Sequence, residues 1–258
     1  MNSILTLKNI THYFGGLRAV HNFNIELPEG ALWGLIGPNG AGKTTIFNLI
    51  TGVYKPTEGK ILFEGKDITG LKSHLIIDKG IARTFQNLRI FNELSVLDNI
   101  RVARHFRTSY KLNDSIFRTK KFFEEEYRIK EEAYELLKIF GLQVRANDLA
   151  KHLPYGELRK LEIARALATK PKLLLLDEPA AGMNPKEVGS LMDLIHSIRD
   201  MFKVTIFLVE HQMKVVMGIC EKIKVMDFGE TIAEGTPDEI RNDKKVIEAY
   251  LGSEGGRC

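Results

Sequence analysis

The stretch Gly37-Pro-Asn-Gly-Ala-Gly-Lys43-Thr44-Thr45 decides the fold of this chain. An apolar run, Leu32 to Ile36, leads into it, and a helix-like run, Thr45 to Ile50, leads out. That order predicts a strand, a glycine loop and a helix. The backbone N–H groups of such a loop wrap a polyphosphate, and the helix N-terminus adds its positive dipole end. Lys43 is placed to reach the β- and γ-phosphates, and the Thr44 hydroxyl to hold Mg²⁺. A plain glycine turn before an ordinary helix is the competing reading; the spacing and both flanks argue against it.

Outward from the loop, the N-terminal part reads as short strands, Leu5 to Leu7 and Phe23 to Leu27, the second ending at Pro28-Glu29-Gly30. Lys60 to Phe63, with the turn at Glu64-Gly65-Lys66, extends these into an antiparallel meander. From about Asn87 to Lys160 the character becomes charged and helical. Ile129, Ala133, Leu136, Leu137 and Phe140 keep helical spacing, and Gly141 is placed as a C-terminal cap. Arg101, Arg104, Arg107, Lys111, Arg118, Lys120 and Lys121 make this stretch loosely basic, followed by Glu124 to Glu126. A solvated helix face explains them; contact with anionic lipid or a membrane partner is the functional alternative. Beyond it, Leu173 to Leu176 and Val204 to Val209 are continuous apolar runs, the pattern of parallel strands covered on both faces. Lys186 to Asp200 between them is helical, and Thr236-Pro-Asp-Glu239 reads as a helix start with a capping box. The architecture expected is an α/β core interrupted by a helical insertion.

Composition narrows the class. The 258 residues fit one large domain, or one core with an insertion. A hydrophobic content of 44% with 27% charged residues is that of a soluble globular protein. The net charge of +4 lacks the concentrated basic face of a nucleic-acid binder. Cys220 and Cys258 are too few for a metal site or a disulfide framework, so a reducing compartment is the default. The first residues lack a signal-peptide apolar region, and no segment approaches the roughly 18 apolar residues that span a bilayer. If the protein works at a membrane, other subunits supply the membrane part.

A phosphate loop needs a carboxylate on the Mg²⁺ side, at the end of a neighbouring buried strand. Leu173-Leu-Leu-Leu-Asp177-Glu178-Pro179 supplies it, with Asp177 as the metal-side acid. Glu178 follows, placed to act as general base on the water that attacks the γ-phosphorus. His211 ends the next apolar strand. If that strand lies beside the one ending in Asp177, its imidazole faces the γ-phosphate and can donate to the developing charge. Gln86 sits where the core gives way to the helical insertion, positioned to sense the Mg²⁺ or the attacking water.

Taken together, glycine loop, junction glutamine, short signature, Leu-Leu-Leu-Leu-Asp-Glu-Pro and strand-end histidine resemble the ATP-binding subunits of ABC transporters, over essentially the whole chain. The resemblance implies a P-loop, RecA-like ATPase core with an antiparallel β subdomain, residues 1–86 and 161–258, and a helical subdomain, residues 87–160. It makes Gly37, Pro38, Asn39, Gly40, Ala41, Gly42, Lys43, Thr44 and Thr45 the Walker A loop, and Phe14, with Tyr13 as the alternative, the aromatic that stacks on adenine. Val20 joins the nucleotide-binding set. Glu178, His211 and Gln86 become the catalytic set, and Thr44, Gln86 and Asp177 the Mg²⁺ set. The implied cofactors are ATP and Mg²⁺.

The signature departs from the family's usual Leu-Ser-Gly-Gly-Gln. It reads Leu153-Pro154-Tyr155-Gly156-Glu157, and in the family this motif closes over the nucleotide of a partner subunit. Pro154 removes the serine hydroxyl and a backbone N–H, and Asn184 stands in Ala181-Gly-Met-Asn184-Pro185 where aspartate is commoner. These changes predict a functionally asymmetric pair of ATP sites. They also resemble, with Arg83-Thr-Phe-Gln86 and the ending Val246-Ile-Glu-Ala-Tyr-Leu251, the LivG-type subunits of branched-chain amino-acid importers. That resemblance implies a LivF-like second ATPase, two membrane permease subunits and an extracytoplasmic binding protein as partners, no nucleic acid, and a place at the cytoplasmic face of the plasma membrane. Urea and amide importers have close relatives and stand as the alternative. A non-transport ABC ATPase is a further reading, as is a P-loop GTPase or kinase, which would need neither the signature nor His211.

Overall fold

The computed structural model describes residues 3–105, 108, 110 and 112–254. Along the chain run β1 (Ser3–Phe14), β2 (Leu17–Pro28), β3 (Leu32–Ile36), α1 (Lys43–Ile50), β4 (Glu58–Phe63), β5 (Lys66–Asp67), α2 (Ser73–Asp78) and β6 (Ile81–Arg83). The helices α3 (Val96–His105), α4 (Leu112–Ile116), α5 (Lys120–Ile139) and α6 (Tyr155–Ala168) follow. Then come β7 (Leu173–Asp177), α7 (Pro185–Phe202), β8 (Thr205–Val209), α8 (Met213–Ile219), β9 (Lys222–Asp227), β10 (Glu230–Gly235), α9 (Pro237–Asn242) and α10 (Lys244–Glu254). They form two compact units, one of Met1–Arg83 with Lys172–Cys258, the other of Thr84–Pro171. α6 runs unbroken through residue 160 to Ala168, so no helix end falls at 160/161.

The first unit carries two sheets. One is antiparallel, in the order β2-β1-β4-β5; the other is ordered β10-β9-β3-β8-β7-β6. In the second, β3, β6, β7, β8 and β9 are parallel and β10 is an antiparallel edge. Every residue of β3, β7 and β8 is buried, as unbroken apolar runs require. Phe47 of α1 packs on Phe207 of β8 with ring centroids 5.4 Å apart, so the helix after the loop is anchored to the sheet's centre. Trp33, the sole tryptophan, is 8% exposed on β3 beneath the Lys222 ammonium.

The strands β1 and β2 are 12 residues each, far longer than the runs Leu5–Leu7 and Phe23–Leu27. Asn9 (φ 51°) and Asn22 (φ 46°) adopt left-handed conformations where the register shifts, and the Asn9 amide donates to the Asn24 side chain. These bulges interrupt the apolar alternation while the strands continue through them. The turn at Glu64-Gly65 has both residues at positive φ and joins β4 to β5.

In the second unit, α5 buries Ile129, Ala133 and Leu137, and Gly141 (φ 69°) ends it. Of the basic residues, Arg101 pairs with Asp98 and Glu126, Arg104 with Glu132, and Lys120 with Glu124. The charges of these three are paired with neighbouring acids. Arg107 and Lys111 lie outside the described residues.

Candidate active site

The loop between β3 and α1 requires glycine at two points. Gly37 (φ 150°) approaches the Met226 carbonyl so closely that a Cβ there would lie 2.0 Å from the oxygen. Gly42 (φ 101°) would place a Cβ 2.6 Å from the Ala19 carbonyl, and fully buried Val20 lies against the same spot. The bend brings the Lys43 ammonium back over the loop, where it donates to the Gly37 carbonyl at 2.7 Å and to the Pro38 carbonyl at 2.8 Å. Burial lowers the Lys43 pKa to about 8, against the opposing charges of Glu178 and Asp177. Pro38, Asn39, Gly40 and Ala41 line a cleft of about 600 Å³ together with Phe228 and, on α10, Lys245 and Glu248. Thr44 is exposed at the start of α1, and Thr45 half-buried.

The acidic side comes from β7. Asp177 is paired in register with Val209 of β8, so the two strand ends are adjacent. The Asp177 carboxylate accepts from Arg83 at 2.6 Å, both side chains being at most 5% exposed. Arg83 also donates at 2.7 Å to Asn48, on the helix that follows the loop, and at 3.3 Å to Thr51, its C-cap. Glu178 sits at φ 48°, in the left-handed region, with its amide donating to the Val209 carbonyl. Strain of this kind in a non-glycine residue marks a constrained position. His211 Nε2 lies 2.6 Å from Glu178 Oε1. The adjacency that the sequence argument required of His211 is therefore met, and its contact is with the Glu178 carboxylate.

Three further groups were given no role of their own by the sequence. Glu210, 1% exposed, accepts from the amides of Ala180 at 2.8 Å, His211 at 2.9 Å and Gln212 at 3.2 Å. Burial raises its pKa against those amides, and the Glu178 charge adds to the rise. It ties the turn after Asp177-Glu178 to the turn that carries His211. Arg83 is the second. The third is Tyr250 on α10: burial raises its phenol to about 12, opposed by the Gly37 backbone amide. An ionisable residue next to a motif is the only available sequence signal for the first two. Asn184, whose identity suggested a weakened site, caps α7 in a full capping box with Glu187. Asparagine does this as well as aspartate.

Phe14 ends β1, 42% exposed, with its ring edge-to-face on His12 at 4.7 Å and on Tyr54 at 5.2 Å. Tyr13 is 40% exposed, and no aromatic contact of this kind holds it among the described residues. In the second unit Leu153 is buried, Pro154 is the N-cap of α6, Tyr155 is 42% exposed, Gly156 is buried, and Glu157 lies 3.7 Å from Arg145. Gln86 belongs to that unit, exposed, three residues past the end of β6.

Asp177 and the Thr44 hydroxyl are hard oxygen donors, the kind that Mg²⁺ takes in small number while phosphates complete its shell. No group of three or more His, Cys, Asp and Glu side chains able to hold a metal occurs among the described residues. A cation held partly by a nucleotide fits this donor set; an all-protein cage does not. No helix among them is long and apolar enough to cross a membrane.

Comparison with known proteins agrees with this geometry. The ABC transporter family model matches residues 20–181, and one described as branched-chain amino acid ATP-binding cassette transporter matches residues 230–256. The chain is 45% identical over 249 residues to the high-affinity branched-chain amino acid transport ATP-binding protein LivG of Escherichia coli strain K12, covering 96% of this chain and 98% of that protein. BraF of Pseudomonas aeruginosa shows the same identity and coverage, and a probable LivG of Archaeoglobus fulgidus is 38% identical, covering 97% and 96%. Among solved structures, the ATP-binding cassette MJ1267 in its ADP conformation superposes with a TM-score of 0.85 at 33% identity, covering 98% of this chain and all of that one. A dimeric post-hydrolysis cassette, MJ0796 bound to ADP and Pi, gives 0.76 at 27% identity, covering 90% and 98%. By family model, sequence and fold alike, this chain belongs to the ATP-binding cassettes of ABC transporters.

Proposed function

We propose that this chain is the ATP-hydrolysing subunit of an ABC importer for branched-chain amino acids, working at the cytoplasmic face of the membrane through its partners. The observation that carries the hydrolytic part is the His211–Glu178 contact of 2.6 Å, at the end of the strand that delivers Asp177. The substrate class rests on the names of relatives 45% identical over nearly the whole chain and on the match of residues 230–256.

In this reading the loop amides from Gly37 to Thr45 and the Lys43 ammonium bind the triphosphate, and Phe14 stacks on the adenine. Thr44 and Asp177, with Gln86, would hold Mg²⁺, which neutralises charge on the phosphate oxygens. Glu178 takes the proton of the water that attacks the γ-phosphorus while ADP leaves. His211 fixes that carboxylate and donates to the charge that develops on the γ-phosphoryl oxygens. Leu153, Pro154, Tyr155, Gly156 and Glu157 meet the nucleotide of the second, LivF-like ATPase. Transport follows from the higher affinity of the closed ATPase pair for ATP, which only a difference between states can supply. Two membrane subunits and an external binding protein complete the assembly.

The test is Glu178→Gln in the assembled transporter. ATP binding should be retained, turnover nearly abolished and a closed two-ATPase complex trapped. Unchanged hydrolysis would remove Glu178 from its role. Uptake of labelled leucine, urea and a short amide by the reconstituted transporter separates the amino-acid reading from its nearest alternative.

A further inference from the structure

The signature's unusual Tyr155 has a partner that explains it. Arg159, one turn along α6, is fully buried. Its Nη1 donates to the Phe85 carbonyl at 2.8 Å and to Glu162 at 3.0 Å. Its Nη2 donates to the Gln86 carbonyl and to the Tyr155 hydroxyl, both at 2.9 Å. Glu162, 2% exposed, completes the arrangement by accepting from the amides of Phe85 at 3.2 Å and Arg89 at 3.4 Å. Residues 85–89 are thus held by carbonyls on one side and amides on the other. All of these groups lie within the unit Thr84–Pro171.

Two charges taken wholly out of water are a poor source of stability, since desolvation offsets most of their attraction. What a planar guanidinium fork does supply is direction: its donors leave in one plane at fixed angles. Here that plane joins a signature residue to the backbone of the junction glutamine through one rigid group. Tyr155 is anchored at its hydroxyl, and its ring carries the remaining exposure of 42%. A displacement of that ring passes through the guanidinium to the Gln86 peptide with no rotatable bond between the two hydrogen bonds.

We infer that Arg159 is a positioning residue that makes the signature and the Gln86 segment move as one piece, with the Tyr155 hydroxyl as the link. Engagement of the partner's nucleotide at Tyr155 then sets the backbone of the residue that reads this chain's own nucleotide. The inference rests on the proposed sharing of ATP between two cassettes.

Tyr155→Phe is the perturbation, because it removes one oxygen and leaves the ring and the other Arg159 bonds in place. The experiment uses the assembled transporter carrying Glu178→Gln and measures amide hydrogen exchange at residues 85–89 with and without MgATP. With Tyr155 present, trapping should slow exchange there. With Tyr155→Phe the complex should still trap, while that protection falls about tenfold, the equivalent of one hydrogen bond to a charged group. Without Glu178→Gln, Tyr155→Phe should lower kcat per ATP-binding transporter, counted by nucleotide binding, and leave the KM for ATP nearly unchanged; counting competent sites removes the loss that a smaller folded fraction would itself produce. Equal protection with and without the hydroxyl overturns the link, as does trapping that leaves residues 85–89 unprotected in both. Failure of Glu178→Gln to trap at all would instead bring down the shared-nucleotide reading beneath it.

Discussion

Replacing Arg83 with Met isolates the electrostatics of the acidic strand end. The Arg83–Asp177 pair, 2.6 Å apart with side chains 5% and 3% exposed, is buried on both sides. Met keeps much of the volume and removes the charge, taking the Arg83 guanidinium away from the buried Asp177 carboxylate. Breaking a buried pair from one side costs about 3–5 kcal/mol. At roughly 2–4 °C per kcal/mol for a unit of this size, the midpoint of thermal unfolding should fall by about 6–20 °C. Trp33 lies in the same unit as the pair, so its fluorescence follows urea unfolding of that unit. The double variant R83M/D177N removes the second charge of the pair as well and should recover most of the loss, since a neutral replacement of a buried pair is often neutral in stability. MgATP should also raise the midpoint of R83M more than that of the parent, because positive charge then returns beside Asp177. A loss below about 1 kcal/mol for R83M, within the range of an exposed pair, refutes the reasoning. So does a double variant no more stable than R83M.

Three other outcomes follow from the site. Phosphate bound at Lys43 favours its ammonium form, so the pKa rises on binding from about 8 and protons are taken up near that pH. ATP affinity is then fully present below pH 8 and weakens as the pH climbs above it; calorimetry at pH 8 in two buffers of different ionisation enthalpy should show the uptake, and its absence contradicts the assignment. Glu210→Gln leaves at least one of the Ala180, His211 and Gln212 amides without an acceptor, at a cost of about 1–3 kcal/mol. Turnover should fall while ATP binding, measured by a fluorescent analogue, is kept; unchanged kcat would show that this brace does not position His211. Asn184→Ala should cost about 1 kcal/mol and Asn184→Asp close to nothing, read from chemical denaturation, if the residue serves α7 as its cap.

The parts of the site legible in the sequence are those whose chemistry is local. Gly37 to Thr45 announces itself because glycine spacing, a flanking apolar strand and a helix start all lie within twenty residues. The capping box at Thr236 and the C-terminal glycine Gly141 are local in the same way, and the structure has both. The partners of Arg83, Arg159 and Glu210 were hidden for the opposite reason. A charged residue reads as surface until its partner is known, and Asp177 and Val209 approach Arg83 and Glu178 only through the sheet. The length of β1 and β2 was hidden by Asn9 and Asn22, polar residues that end a strand pattern on paper and merely bend the strand in space. Tyr155 was legible as an oddity, and its partner was not.

The order of the parallel sheet sets the order in which the protein can be made. β3, which delivers the phosphate loop, has β8 on one side and β9 on the other. Both neighbours lie beyond residue 204, while the loop is complete by residue 45. As the chain leaves the ribosome, the sheet β2-β1-β4-β5 can pair from the first 67 residues alone, and the helices of Thr84–Pro171 can collect as a contiguous stretch. β3 has no strand to join until most of the polypeptide has emerged. During that interval β3 lacks both of its strand neighbours, and the loop it carries lacks the Met226 carbonyl against which Gly37 is set. The motif read first in the sequence is therefore among the last to acquire its shape during synthesis.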